Sequence, residues 1–155
     1  VNAPLPADGR VAPAPGDFPF LGVWALEPGR SVYAFGMPPL DGTYTVALDD
    51  DGWLDITSRW RTAAGRTREI HFAGKLGGGR FPYSSTGAAD ELGFEFEPPG
   101  LLRSSAFKNN EKVHWAERRL DGSGVWMTIS VFGRFSDGRV YQNQDVYRRV
   151  VGGAP

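Results

Sequence analysis

The sequence predicts an all-β domain, a single antiparallel up-and-down β-barrel of about eight to ten strands preceded by a Pro-rich arm. Three observations point there. Turn-forming pairs recur at short intervals, at Asp41-Gly42, Asp51-Gly52, Gly77-Gly78-Gly79, Asn109-Asn110, Asp121-Gly122 and Asp137-Gly138, and such pairs supply the positive φ values that hairpins need. The stretches between them alternate apolar and polar residues with the period of two that makes a strand one-sided. No segment has room for a long helix, since Pro28, Gly29, Gly36, Pro38 and Pro39 limit even residues 27–42 to a single helical turn. Ten Phe, five Trp and five Tyr agree with this class, because aromatic side chains suit a pleated, half-buried surface.

Taken in order, residues 1–19 carry Pro4, Pro6, Pro13, Pro15 and Pro19 without apolar periodicity, which describes an extended arm. Residues 20–150 form the barrel domain and 151–155 a tail. Strands are expected at 20–26, 43–49, 53–61, 66–75, 80–84, 92–97, 101–107, 111–120, 124–135 and 139–149. Tyr44, Val46 and Leu48 share one face, as do Leu54, Ile56, Ser58 and Trp60, then Ile70 and Phe72, then Leu92, Phe94 and Phe96. Asp55, Arg59, Glu69, Glu95 and Glu97 take the watery side. Closure into a barrel is favoured because it removes exposed strand edges; a two-sheet sandwich is the alternative. No helical lid is expected over the mouth.

Several functions are excluded at this level. Lys and Arg total 17 against 18 acidic residues, so the chain lacks the basic excess that drives nucleic-acid binding through phosphate neutralisation. No apolar run approaches the roughly 20 residues of a membrane helix, and the first residues lack a signal-peptide layout. The compartment stays open, cytoplasmic or exported after removal of a leader, as does the oligomeric state. Without Cys there is no thiol chemistry, and two His, His71 and His114, 43 residues apart, do not make a metal cluster. No cofactor is expected. Asp49-Asp50-Asp51-Gly52 lacks the ligand spacing of a calcium loop and reads as a solvated hairpin turn. Gly77-Gly78-Gly79-Arg80 lacks the Lys-Ser/Thr of a phosphate loop, and Ser84-Ser85-Thr86 and Ser104-Ser105 lie in no nucleophile elbow.

Gly22-Val23-Trp24-Ala25-Leu26, followed by Ser31 and Tyr33, resembles the first-strand Gly-x-Trp signature of the calycins. The Pro-rich link Met37-Pro38-Pro39, the stretch Ala73-Gly74-Lys75-Leu76-Gly77-Gly78-Gly79-Arg80-Phe81-Pro82-Tyr83 and the closing Asp145-Val146-Tyr147-Arg148 are similar to small bacterial lipocalin-like proteins. The resemblance covers about residues 20–150. It implies that Trp24 plugs one end of the barrel under a basic side chain of the last strand, Arg148 or Arg149, and that the interior holds a small ligand. In fatty-acid-binding proteins an Arg-x-Tyr near the end of the last strand holds a carboxylate. Arg139-Val140-Tyr141 repeats those letters at the beginning of the strand, a departure that argues against the same anionic site.

The expected partner is a small, largely apolar molecule, with Tyr44, Trp60, Phe72, Phe94 and Phe96 around it; the same aromatics could instead simply fill the core. On the last strand two facings are open. If Tyr147 points inward, then Tyr141, Asn143 and Asp145 do so too, giving a polar inner stripe; otherwise Val140, Gln142, Gln144 and Val146 line the interior. The first facing permits a cofactor-free cyclase, isomerase or lyase. In that alternative Asp145 is the acid or base, Tyr141 and Tyr147 orient a substrate oxygen, Asn143 assists, and His114 or Glu117 is a second titrating group. On strand 111–120 either His114 or Glu117 can face inward, while His71, opposite in parity to Ile70 and Phe72, faces solvent.

Overall fold

The computed structural model describes residues 18–77, 79–83 and 89–150. Eleven strands form one antiparallel sheet: β1 (Gly22–Leu26), β2 (Val32–Tyr33), β3 (Asp41–Leu48), β4 (Trp53–Arg61), β5 (Thr67–Lys75), β6 (Phe81–Pro82), β7 (Glu91–Glu97), β8 (Leu101–Lys108), β9 (Glu111–Leu120), β10 (Trp126–Arg134) and β11 (Val140–Arg149). Ten of them run in the order β5-β4-β3-β1-β11-β10-β9-β8-β7-β6, and β2 pairs separately with β11. The ten expected strands correspond to these ten, and β2 is the addition. Residues 27–42 hold the single helical turn allowed to them, a 3₁₀ turn at Pro28–Arg30. Gly78, the Ser84-Ser85-Thr86 stretch, most of the N-terminal arm and the 151–155 tail lie outside the described residues.

Register follows from the pattern. Tyr44 stands opposite Ser58 and Val46 opposite Ile56, while Ile56 and Ser58 stand opposite Phe72 and Ile70 on the next strand. Directly opposed residues share a face, so these side chains stack into one inner wall. A one-residue slip would turn all of them to water. The turns are set by side-chain caps. Asp49 Oδ1 accepts from the Asp51 and Trp53 amides at 2.9 and 2.8 Å, and Gly52 takes a φ of 84°; the acidic run is a hairpin turn, as its sequence suggested. At the β9–β10 turn Asp121 Oδ1 accepts from Ser123 Oγ at 2.6 Å and from the Ser123 and Gly124 amides. The Ser123 hydroxyl, with these amides, holds the Asp121 carboxyl below its ordinary range.

The barrel is nearly closed. β5 and β6 are the free ends of the hydrogen-bonded order, and side chains bridge them: the Phe72 ring stacks on Phe94 with centroids 6.1 Å apart and meets Tyr83 edge-on at 6.3 Å. Gly74 permits this approach, since a Cβ there would lie 3.0 Å from the Phe94 ring and 3.1 Å from that of Phe81.

One end is plugged. Trp24 is wholly buried, its Nε1–H donates to the Phe20 carbonyl at 2.9 Å, and Arg149 lies 4.2 Å over the indole. Of the two basic candidates Arg149 is therefore the cover, and it also donates to the Pro19, Leu21 and Gly124 carbonyls. Arg148 lies instead over Trp126, which Arg30 also approaches. Phe18, Phe20 and Phe96 pack together beneath this plug. The packed chain thus includes Phe18, two residues ahead of the expected start. Truncating a buried aromatic such as Trp24 costs about 3–5 kcal/mol, so this end is the rigid base.

Candidate functional site

Above the base the inner wall opens into a cavity of about 330 Å³. Tyr44, Ser58, Trp60, Ile70 and Phe72 line one side; Arg118, Ile129, Val131, Asp145 and Tyr147 line the other. A smaller lobe of about 130 Å³ extends toward Tyr83, Leu92, Ala106 and His114, sharing Phe72 and Arg118 with the first. At the rim of the mouth, residues 31–40 form a strap of extended chain in which Tyr33 and Pro39 face the cavity. The strap pairs with β11 through Val32 and Tyr33 and ends at Leu40, whose amide donates to the Arg61 carbonyl at 2.8 Å. No helix lies over the mouth among the described residues.

The last strand turns its polar stripe inward. Met127, Ile129, Val131 and Gly133 of β10 stand opposite Tyr147, Asp145, Asn143 and Tyr141, so the two sets share the inner face. Each polar residue is already engaged. Asp145 accepts from Ser31 Oγ–H at 2.7 Å on one oxygen and from Tyr33 O–H at 2.8 Å on the other. Asn143 Oδ1 accepts from the Ala34 and Phe35 amides at 2.9 and 3.1 Å, and its Nδ2 donates to the Phe35 carbonyl at 2.8 Å. Tyr141 packs against Phe35 and Phe135 at the rim. Three of the four stripe residues therefore fasten the strap. Tyr147, the fourth, is buried against Tyr44 with ring centroids 5.5 Å apart and bonds to the Ser58 hydroxyl.

The other expected residues divide between cavity, core and outer surface. Tyr44 and Phe72 line the cavity, and Trp60 stands at its edge. Phe94 is buried in the wall behind Phe72. Phe96 faces inward but sits in the base against Phe18 and Phe20 rather than in the cavity, because β7 runs from the mouth down to the plug. On β9 the inward face is His114, Ala116 and Arg118. Glu117 consequently points outward, where it pairs with Arg103 and Arg119 at 3.4 Å each, and it cannot join Asp145 as a second titrating group. His114 lines the smaller lobe, and burial holds its pKa below the ordinary value. His71 lies outside, 2.8 Å from Asp55.

Arg118 is the residue that the sequence underweighted. It is 3% exposed, its Nε–H donates to Tyr44 Oη at 2.6 Å, and its Nη1 donates to Ser104 Oγ at 3.0 Å. The Tyr44 and Phe72 rings lie 5.9 and 5.8 Å from its guanidinium carbon. Among the described residues no carboxylate pairs with it. A buried cation held by hydroxyls and rings alone has its charge uncompensated, and this one borders both lobes. Burial, ahead of the opposing pull of Arg118, raises the Tyr44 pKa; burial and then Asp145 raise those of Tyr33 and Tyr147. All three phenols stay protonated at neutral pH and can donate.

A larger hollow, about 430 Å³, runs along the outer wall beside β7 and β8. Its cations are engaged: Arg103 with Glu97 and Glu117, Arg80 over Phe107, and Lys112 over Trp115. No group of three or more His, Cys, Asp or Glu able to hold a metal occurs among the described residues.

No family model matches the sequence, and no curated protein matches it. Solved structures do match. Wild-type fluorescent protein UnaG aligns at 13% identity over 84% of this chain and 97% of its own, with a TM-score of 0.59. A mutant of the same fluorescent protein aligns at 13% identity over 84% and 96%, also with 0.59. The zebrafish ileal bile acid-binding protein complexed with cholic acid aligns at 13% identity over 85% and 99%, with 0.49. With the Trp24 plug under Arg149 and the near-closed antiparallel meander already in place, the chain has the calycin-type β-barrel fold.

Proposed function

We propose that the protein binds one small molecule inside the barrel, with a largely apolar body against Ile70, Phe72, Ile129 and Val131 and an oxygen-bearing polar end, preferably anionic, at Arg118 and Tyr44. The observation that carries this reading is Arg118, a buried cation facing a cavity and paired with no carboxylate among the described residues. A ligand oxygen would supply the missing countercharge through a charge-assisted hydrogen bond. The cavity lies at the lower end of the range for ligand sites, about 300–1,000 Å³, which favours a compact guest. The acidic end of the cavity supports the binding reading too, because both Asp145 oxygens already accept strap hydroxyls and leave the other end to the ligand.

Two fluorescent probes with the same aromatic body separate the charge from the apolar contact: 8-anilinonaphthalene-1-sulfonate and the uncharged N-phenyl-1-naphthylamine. The sulfonate is expected to bind at one site per chain and more tightly than the neutral probe. Arg118→Met should weaken the sulfonate about 10- to 100-fold, the range for a hydrogen bond to a charged group, and should change the neutral probe far less. Arg118→Lys should restore part of the difference, with circular dichroism confirming that both variants fold. Equal losses for both probes, or no saturable binding, would overturn the proposal.

A further inference from the structure

We infer that the ligand is a bent molecule with two ring-bearing arms, and that its oxygen-bearing, preferably anionic group sits at the joint between the arms and not at one end. This rests on the binding reading above and assigns the shape of the same guest. The two inner lobes meet at a waist, because Ile70, Phe72, Arg118 and Val131 line both. Arg118 is the only polar residue of these. It is held from both sides, donating to the Tyr44 hydroxyl, which lines the larger lobe, and to the Ser104 hydroxyl, which lines the smaller. The cation therefore stands where the lobes join, and an anion paired with it has hollow space on either side.

The smaller lobe originates in the sequence of β8 and β9. Ser104 stands opposite Ala116 and Ala106 opposite His114, so small side chains dominate this stretch of inner wall, whereas Tyr44 and Tyr147 crowd the wall of the larger lobe. The smaller lobe measures about 130 Å³, and Ile70, Phe72, Leu92 and Val131 make its surface largely apolar. An apolar cavity of about 150 Å³ takes one benzene ring. By that measure the smaller lobe suits a single ring and the larger, at about 330 Å³, a fused pair. A straight amphiphile with its terminal anion at Arg118 fills one lobe and leaves the apolar walls of the other without contacts. A molecule bent at the anion fills both.

Two isomeric probes, equal in composition and charge, separate shape from binding as such. In 8-anilinonaphthalene-1-sulfonate the sulfonate lies beside the link between the naphthalene and the phenyl ring; in 6-anilinonaphthalene-2-sulfonate it lies at the far end. The full chain is expected to bind the first at least about ten-fold more tightly, because the second cannot seat both arms with its sulfonate at Arg118 and so leaves a ring unburied. Naphthalene-1-sulfonate, which lacks the phenyl arm, should bind about 10- to 100-fold more weakly than 8-anilinonaphthalene-1-sulfonate. Ala106→Leu fills the smaller lobe and should remove most of that difference, with the thermal transition confirming folding; the isomer comparison needs no variant. Equal affinities for the two isomers would overturn the inference, as would a folded Ala106→Leu variant that keeps the full preference for the phenyl-bearing probe. In either case a loss of sulfonate affinity in Arg118→Met still upholds the binding reading, so the two failures are told apart. The absence of saturable binding by any of the probes would overturn both.

Discussion

Arg118, Asp145 and His114 show how one inner wall gives three polar residues different work. Asp145 is held by two hydroxyls of the strap, Arg118 by one phenol and one serine, and His114 by no hydrogen-bonding side chain among the described residues. For His114 the consequence is a pH dependence. Burial lowers its folded pKa below 6.5, so as pH falls through 6.5 the unfolded chain takes up a proton that the folded barrel resists, and stability is lost. His114→Asn should therefore show a shallower fall in Tm between pH 7 and pH 5 than the wild type; superimposable curves would contradict the buried setting. The parity argument on β11 was legible, since an inward Tyr147 brings Asp145, Asn143 and Tyr141 with it. Arg118 was not, because Val113-Trp115-Glu117 and His114-Ala116-Arg118 each mix apolar and charged residues, and period alone ranks neither face. Nor does the sequence show that Asp145 is engaged, since its partners Ser31 and Tyr33 lie 114 and 112 residues away.

At the scale of elements, hairpin rhythm located ten strands because each strand is framed by residues that take turn conformations with local caps. The strap escaped because its order is not local. Its Pro and Gly residues mark broken structure, and the bonds that order it come from Asp145, Asn143 and the Arg61 carbonyl on distant strands. Phe96 shows the complementary limit: alternation gives its face correctly, but only the course of β7 reveals which end of the barrel it reaches. If Asp145 fastens the strap, Ser31→Ala with Tyr33→Phe removes both hydroxyl donors and should cost the strap about 1–3 kcal/mol. Hydrogen exchange at the Ala34 and Phe35 amides, which bond to Asn143, should then accelerate about ten-fold or more while β3–β4 amides keep their protection. Unchanged exchange at Ala34 and Phe35 would show that Asn143 and the Phe35 ring hold the strap without Asp145.

As a whole, the molecule is a barrel with a solid base and a hollow upper half. Trp24, Phe20 and Phe96 fill the base under Arg149, and the cavity begins where Tyr44, Tyr147 and Arg118 replace aliphatic residues on the inner wall. That division explains why aromatic composition alone could not separate a filled core from a pocket: the same residue types occupy both halves, and only their height in the barrel distinguishes them. The central claim is that the interior around Arg118, and not the hollow along β7 and β8, receives the ligand. Nuclear magnetic resonance of ¹⁵N-labelled protein titrated with 8-anilinonaphthalene-1-sulfonate tests it most directly. The account predicts saturable one-to-one shifts of the Arg118 Nε–H signal and of the Tyr44, Phe72, Val131 and Tyr147 amides. Shifts confined to Gly93, Glu95, Arg103 and Ser105 on the outer wall, with the Arg118 signal unmoved, would contradict it.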